Sequence, residues 1–433
     1  MNVESPEGLG VTADLQKVRP GMIFVDLSYR RNKRRIYEAY DKGASLIFTP
    51  HDITDPDLPV INVGNHRDTL YKMFDRLFGN RGKMPKLIGV FGESDKSVLI
   101  ELIQSIFYRA DDEILTDVIP ISVNTNAGNI SCFDMNFDCA ILADRSTSEG
   151  NNSRPVPDMA FELSKKKNII INNDEYSGIK AAEDLAGVRS ITYGLNKKAV
   201  VTASSIDVNE ITCFNYCVQK SFYTRKGERI EPFEIPIRLN AMGSHNVYNA
   251  LAAITCGLYY DKDIGSLKNS IERYKASSRH FQKIYDGEYV IIDNYCSSIY
   301  DYTAVFDSIQ ILSYENLILI ISVSQSANPA LHGEKARLIT EWARILKCKE
   351  VILTSCMDGD SHIGELPLKS MRIYKRIFKE NDVTFRYYHL LHHAIDKSLL
   401  LLEKHDLLVM LGGDEMNAAQ RILCNRLGLI NNK

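Results

Sequence analysis

The 433 residues carry 52 basic and 55 acidic side chains, a net charge of −3, and 45% of them are hydrophobic. These values suit a globular chain of about two to four domains and remove the electrostatic case for binding nucleic acid or a membrane surface. Nine cysteines, an odd number with no C-x-x-C spacing, read as buried reduced thiols rather than disulfides or zinc ligands. The opening MNVESPEGLG is not a signal peptide. Apolar runs such as LILIISV (317–323) are too short to span a bilayer, so a cytoplasmic protein is expected.

In chain order the pattern falls into three blocks. Residues 1–83 hold short strands, GMIFVDL and ASLIFT, around a helical RRIYEAYDKG, and end in the linker-like GNRGKMP. Residues 84–275 open with a strand, Lys86 to Phe91, and continue with FDCAILAD, KNIIINND and RSITYGL. Alternation in AVVTASSIDVNEITCFNYCVQKSFYTRKG predicts paired antiparallel strands, and NVYNALAAITCGLYY predicts a late helix. Residues 276–433 alternate strand and helix. Five strands, EYVIIDN, LILIISV, EVILTS, TFRYYH and LLVMLGG, are separated by helical stretches such as GEKARLITEWARILK and HHAIDKSLLLLEKH. Such alternation gives a mainly parallel sheet with helices on both faces and ligands beyond the carboxyl ends of the strands.

The stretch GVFGESDKSVLIELI (89–103) resembles a phosphate-binding loop with one altered position. Gly92 can supply the tight turn, Lys96 can reach a phosphate, and Ser97 stands where such loops keep a hydroxyl for Mg²⁺. Val98, Leu99, Leu102, Ile103, Ile106 and Phe107 make one apolar helical face, so the helix N-terminus is a natural anion site. Asp95 occupies the place of the glycine before the lysine. A carboxylate ~4–5 Å from a phosphate charge costs roughly 3–4 kcal/mol at an effective dielectric near 20. Two readings therefore fit these residues: a nucleotide site, or a helix end that Asp95 caps with Lys96 as its local counter-ion.

Ten stretches in order resemble the Mur ligases, closest to the enzymes that add the third residue to a UDP-muramyl peptide. TADLQKVRPGMIFVDL is similar to D-S-R-x-V-x-P-G-x-x-F-V-A-L, and AYDKGASLIFT to A-x-x-x-G-A. GVFGESDKSV stands at G-V-T-G-T-N-G-K-T-T. IIINNDEYSG, ITYG and MGSHNVYNALAA match the middle-domain stretches, with Ser278 and Arg279 at a G-R. VIIDNYCSSIYDY, VILTSCMDGD and LLVMLGGDEMNAAQ stand at V-D-Y-A-H-T-P-D-A-L, V-I-L-T-S-D-N-P-R and the G-K-G-H-E stretch. The resemblance implies a three-domain α/β architecture. A UDP-substrate-type domain would span 1–83, a central P-loop-type ATP-binding domain 84–275 and a C-terminal Rossmann-like domain 276–433. It implies ATP and Mg²⁺, with Lys96 on phosphate, Ser97 on the metal, Gly92 in the loop, Asn246, Asn249 and Arg279 holding nucleotide, and Asp293 beside it. Its ligands would be a nucleotide or a UDP-linked cell-wall precursor.

The chemistry-bearing positions depart from the family. Besides Asp95, DRSTSEGNNS (144–153) replaces D-H-L-D-x-H, and RPVPDMAFELS lacks the lysine that the family carbamylates. Cys296 replaces the A-H-T-P histidine, Gly359 falls near the D-N-P-R arginine, and Leu15 and Gln16 replace the Ser and Arg of D-S-R. Each lost charge partner in a transition state costs roughly 10²–10³ in rate. The expectation is a Mur-ligase homologue of peptidoglycan precursor synthesis with impaired or lost catalysis and a binding or regulatory role, with a protein partner. The alternative is an active ATP-dependent carboxylate–amine ligase with a changed substrate, for which Asp144, Glu149 and Asp174 are the nearest replacement carboxylates. Plainer readings stand beside these. Asn246 and Asn249 can open a helix, Asp293 can be a turn residue, Arg279 can form a structural salt bridge, and Cys296 can be a buried thiol. His389, His392 and His393 can be structural.

Overall fold

In the computed structural model the residues described are 11–12, 18, 21, 23–25, 33–49, 53, 55, 58–62, 86–92, 94–107, 118–124, 137–143, 168–176, 190–208, 211–276, 279–323, 329–356 and 368–428. They form two compact units. The first comprises 1–206, 214–238 and 248–274, and the second 207–213, 239–247 and 275–433.

The first unit begins with a four-stranded, wholly parallel sheet in the order β1 (Val11–Thr12), β2 (Ile23–Val25), β3 (Leu46–Thr49), β4 (Val60–Asn62). Helix α1 (Lys33–Asp41) turns Ile36 and Ala39 into a small core with Phe24, Ile47 and Leu58. This is the expected helix RRIYEAYDKG. A larger sheet follows from β5 (Lys86–Gly92), β6 (Val118–Asn124), β7 (Cys139–Leu142), β8 (Asn168–Asn172), β9 (Ser190–Tyr193), β10 (Val201–Val208), β11 (Thr212–Val218) and β14 (Phe233–Leu239). Its order is β14-β11-β10-β9-β8-β7-β5-β6, and the pairs from β6 through β10 are parallel. A short antiparallel pair, β12 (Phe222–Tyr223) and β13 (Arg229–Ile230), stands beside it. Strand β5 lies between parallel neighbours and is buried on both faces along nearly its whole length, which explains its nearly continuous apolar run KLIGVFG. Among the described residues this part of the chain holds the helices α2 (Ser97–Phe107), α3 (Asn173–Tyr176), α4 (His245–Tyr259) and α5 (Ile264–Arg273).

The second unit is built on a six-stranded sheet of order β15 (Gln282–Asp286), β16 (Val290–Tyr295), β20 (Leu407–Gly412), β17 (Leu317–Ser322), β18 (Glu350–Thr354), β19 (Phe385–Tyr388). All neighbours run parallel except β15 against β16. Helices α6 (Ile299–Ile309), α7 (Pro329–Ile345) and α8 (Leu368–Glu380) supply one face through Phe306, Ile339 and Phe378. Helices α9 (Leu391–Leu399) and α10 (Ala419–Leu427) supply the other through Ile395 and Leu423. The five expected strands are all present. Strand β15 carries no signal in the sequence, because QKIYD is half-exposed at the sheet edge and lacks an apolar run. Among the described residues no helix is long and apolar enough to cross a membrane.

Ile320 is fully buried in the centre of β17. Ile320→Ala should destabilise the second unit by about 2–5 kcal/mol, read as a lower urea midpoint for that unit's transition.

Candidate functional site

The loop after β5 is fixed at both ends. Upstream, β5 is held by β6 and β7. Downstream, α2 buries Val98, Leu99, Leu102, Ile103, Ile106 and Phe107, which anchors its first turn at the sheet's carboxyl edge. The Asp95 carboxylate turns inward onto that first turn. One oxygen accepts the Ser97 N–H at 3.0 Å and the other accepts the Ser97 hydroxyl at 2.5 Å. Lys96 is also buried, and its Nζ donates to the carbonyls of Gly92 at 2.8 Å and Ser94 at 2.7 Å. Loop and helix end thus satisfy each other. The anion-attracting N–H of Ser97 holds a carboxylate of the chain itself. An incoming phosphate would meet that negative charge and would have to displace it. The Ser97 hydroxyl that would ligate Mg²⁺ is donated to Asp95. As arranged, these residues do not fit a Mg²⁺–triphosphate.

The remaining nucleotide-site expectations fall on two elements. Asn246 opens α4, where its Nδ2 donates to the Met242 carbonyl at 2.7 Å and its N–H to Gly243 at 3.0 Å. Asn249 lies one turn further along and is half-buried. Arg279 and Asp293 meet within the second unit. The Arg279 Nε contacts both Asp293 oxygens at 3.2–3.3 Å. Its other nitrogens donate to the Gly412 carbonyl at 2.8 Å, and to the Gly413 carbonyl and the Asn417 side chain at 2.7 Å each. Arg279 holds a left-handed φ of 65°, a strained setting for a non-glycine residue. The Gln282 side chain accepts its N–H at 2.9 Å, and Tyr295 N–H donates to its carbonyl at 2.6 Å. Asp293 is completely buried; burial pushes its carboxyl up, against the pull of the Arg279 guanidinium. The pair fastens β16 to the turn after β20.

Asp174, named as a replacement metal ligand, is committed elsewhere. Its oxygens accept the N–H groups of Leu195 at 2.6 Å and Asn196 at 3.0 Å, and the Tyr248 hydroxyl at 2.9 Å. A Cβ on Gly194 would lie 2.8 Å from the same carboxylate, which accounts for the glycine in ITYG. Cys296 is buried, receives the Asn294 amide at 3.4 Å, and burial raises its thiol well above the ordinary range. His389 Nδ1 lies 2.9 Å from the Tyr387 hydroxyl, and His392 stacks edge-on against His393. Asp144, Glu149, Ser278, Gly359, Leu15 and Gln16 lie outside the described residues.

One cluster in the second unit escaped sequence reasoning. Beyond β16 and β17, Ser298 caps α6 in a reciprocal box with Asp301, and the half-buried Lys335 donates to the Ser297 carbonyl at 2.6 Å. The Ser322 hydroxyl donates to Glu415. His332 is buried with neither ring nitrogen hydrogen-bonded among the described residues. A half-buried helix lysine and a buried histidine look like ordinary surface residues in a sequence, and only the alternation of strand and helix marks this edge of the sheet.

Comparison with known proteins gives a consistent family. The Mur ligase middle domain matches residues 159–257. The UDP-N-acetylmuramoyl-L-alanyl-D-glutamate–2,6-diaminopimelate ligase of Caldanaerobacter subterraneus subsp. tengcongensis is 22% identical over 336 residues, covering 66% of this chain and 66%, just under two thirds, of that relative. The ligase of the same name from Bacillus velezensis is 20% identical over 441 residues, covering 89% of this chain and 84% of the relative. Among solved structures, a MurF ligase of Thermotoga maritima in complex with ADP superposes with a TM-score of 0.61 at 12% identity, covering 97% and 98% of the two chains. The mixed α/β fold with its parallel sheets is thus shared with solved Mur ligases.

Two measurements follow from this geometry. Arg279→Ala strands a buried carboxylate and should cost about 3–5 kcal/mol of stability, while Arg279→Met with Asp293→Leu should recover most of it. Because the Asp293 carboxyl is already pushed up, the single variant's deficit should shrink as pH falls and the stranded group takes up a proton. The Cys296 thiol should resist alkylation at neutral pH in the folded chain and react once urea unfolds it; fast modification of the native protein would contradict its burial.

Proposed function

From its kinship with the Mur ligases, we propose that this chain is a non-catalytic member of that group, acting in cell-wall precursor metabolism as a binding or regulatory protein rather than as a ligase. The observation that carries this is the self-filled loop: Asp95 takes the Ser97 N–H and hydroxyl, and Lys96 is spent on the Gly92 and Ser94 carbonyls. An ATP-dependent ligase needs those same groups for phosphate and Mg²⁺ while charge builds on an acyl phosphate. Supporting it, Arg279, Asp293 and Asp174 are bound into the protein's own hydrogen-bond networks. The domains assigned to 1–83, 84–275 and 276–433 would keep the family architecture as a scaffold. A UDP-linked precursor or a protein would be the bound species, with the cytoplasm as the site of action.

The rival, an active ligase with a changed substrate, requires Asp95 to release Ser97 when Mg-ATP arrives. A thermal-shift titration with Mg-ATP on the native chain and on Asp95→Gly separates the two. A ligand at about 100 times its dissociation constant adds about 2.7 kcal/mol, a rise of several degrees. The proposal expects no shift for the native chain and a clear one for Asp95→Gly. A shift in the native chain, followed by phosphate release with any amino acid, overturns it.

A further inference from the structure

The solvent face of α8 carries a basic stripe. The helix LKSMRIYKRIFKE holds Lys369, Arg372, Lys375, Arg376 and Lys379 against one acid, Glu380, in a chain whose net charge is −3. Its apolar side is spent inward, with Met371, Tyr374, Ile377 and Phe378 buried in the core of the second unit. Lys369, Arg372, Arg376 and Lys379 are all exposed and fall at i, i+3, i+7 and i+10, one line along about three turns. An ion pair on this line, Arg376 to Glu380, is long at 3.8 Å and largely exposed on both sides. Four like charges in a row repel one another, and an oppositely charged neighbour would offset that repulsion most strongly at low salt.

Alongside the stripe, α7 and α8 border a groove of about 490 Å³. Arg337 and Arg344 extend the basic line into it, Arg344 donating to the Asn381 side chain at 2.8 Å. Glu341 and Glu380 sit within the same groove, and Ile345 borders it with 53% of its surface exposed. We propose that this face docks an acidic, amphipathic segment of a partner protein, its carboxylates along the α8 stripe and an apolar residue against Ile345. Charge complementarity selects the partner's sign. The groove and Ile345 call for a shaped, partly apolar occupant. The two glutamates would repel a continuous phosphodiester backbone or a lipid headgroup layer, whereas a protein segment meets them with a lysine or an amide. The docking face lies wholly on the second unit and is independent of whether the phosphate loop binds nucleotide.

The test uses the full-length chain and a fluorescein-labelled peptide of about 16 residues, about four helical turns. It carries glutamates at i, i+3, i+7 and i+10 and leucines on the adjoining flank. Anisotropy is read at about 50 mM salt, where surface charge is only partly screened. The designed peptide should bind the native chain at least about tenfold more tightly than a scrambled peptide of equal composition. Lys369→Glu with Arg372→Glu and Arg376→Glu should weaken it by about tenfold to a hundredfold. Arg337→Glu, on the other wall, should weaken it independently, with the thermal transition unchanged in both variants. No binding by the native chain, equal binding by the variants, or equal binding of the scrambled peptide overturns the proposal. So does tighter binding of vesicles with about 30% phosphatidylglycerol or of an oligonucleotide of about 20 nucleotides, where the reversal variant abolishes it.

Discussion

The first turn of α2 must have its N–H groups satisfied, because it begins at the carboxyl edge of a buried parallel sheet. Asp95 meets that demand from within the chain. Much else in the first unit follows from it. The carboxylate fixes where the helix starts, and the start sets which residues face the sheet, from Val98 to Phe107. It also leaves Lys96 lying back across the loop, where two carbonyls hold its ammonium in place of an external anion. A glycine before the lysine would leave the same helix end open.

The same economy recurs in polar groups far apart in sequence. Arg279 and Asp293 share a fully buried site, and the guanidinium is completed by carbonyls from the turn after β20. Asp174 closes the turn after β9 and receives a tyrosine from α4. Arg279 and Asp293 stand where the family resemblance implied a nucleotide ligand and its neighbour, and Asp174 is a carboxylate that an active ligase would have to recruit; each is used by the fold to hold strands and turns in register. Such groups cannot be removed singly without leaving a buried charge or donor unpaired.

Much of the fold was legible in the sequence, for physical reasons. Strands covered on both faces, such as LILIIS and LLVMLG, show unbroken apolar runs, and their shortness and alternation with helical stretches mark them as strands. The edge strand β15 shows nothing of the kind, because half its side chains face water. At the candidate site, the choice between a nucleotide ligand and a self-capped helix was visible at Asp95 but open, since sequence does not say which way a carboxylate turns. The commitments of Arg279 and Asp174 depend on partners 133 to 138 and 21 to 74 residues away, distances at which spacing carries no information. Lys335 and His332 were missed for a related reason: on a helix facing the sheet's edge, a charged residue in the sequence looks the same whether it is solvated or buried.

The closure of the phosphate loop rests on one side chain, which has a bearing on heredity as well as on chemistry. Aspartate and glycine codons differ at a single base, so a loop of this kind stands one transition away from the residue that ordinary phosphate loops carry. Selection acting on a nucleotide-binding chain could close the loop in one step, and a revertant could reopen it as readily. The neighbouring lysine and serine would be kept meanwhile by a structural duty, since Lys96 and Ser97 are the groups that Asp95 and the loop carbonyls engage. Residues that look like relics of an older chemistry can persist because the closed form needs them too.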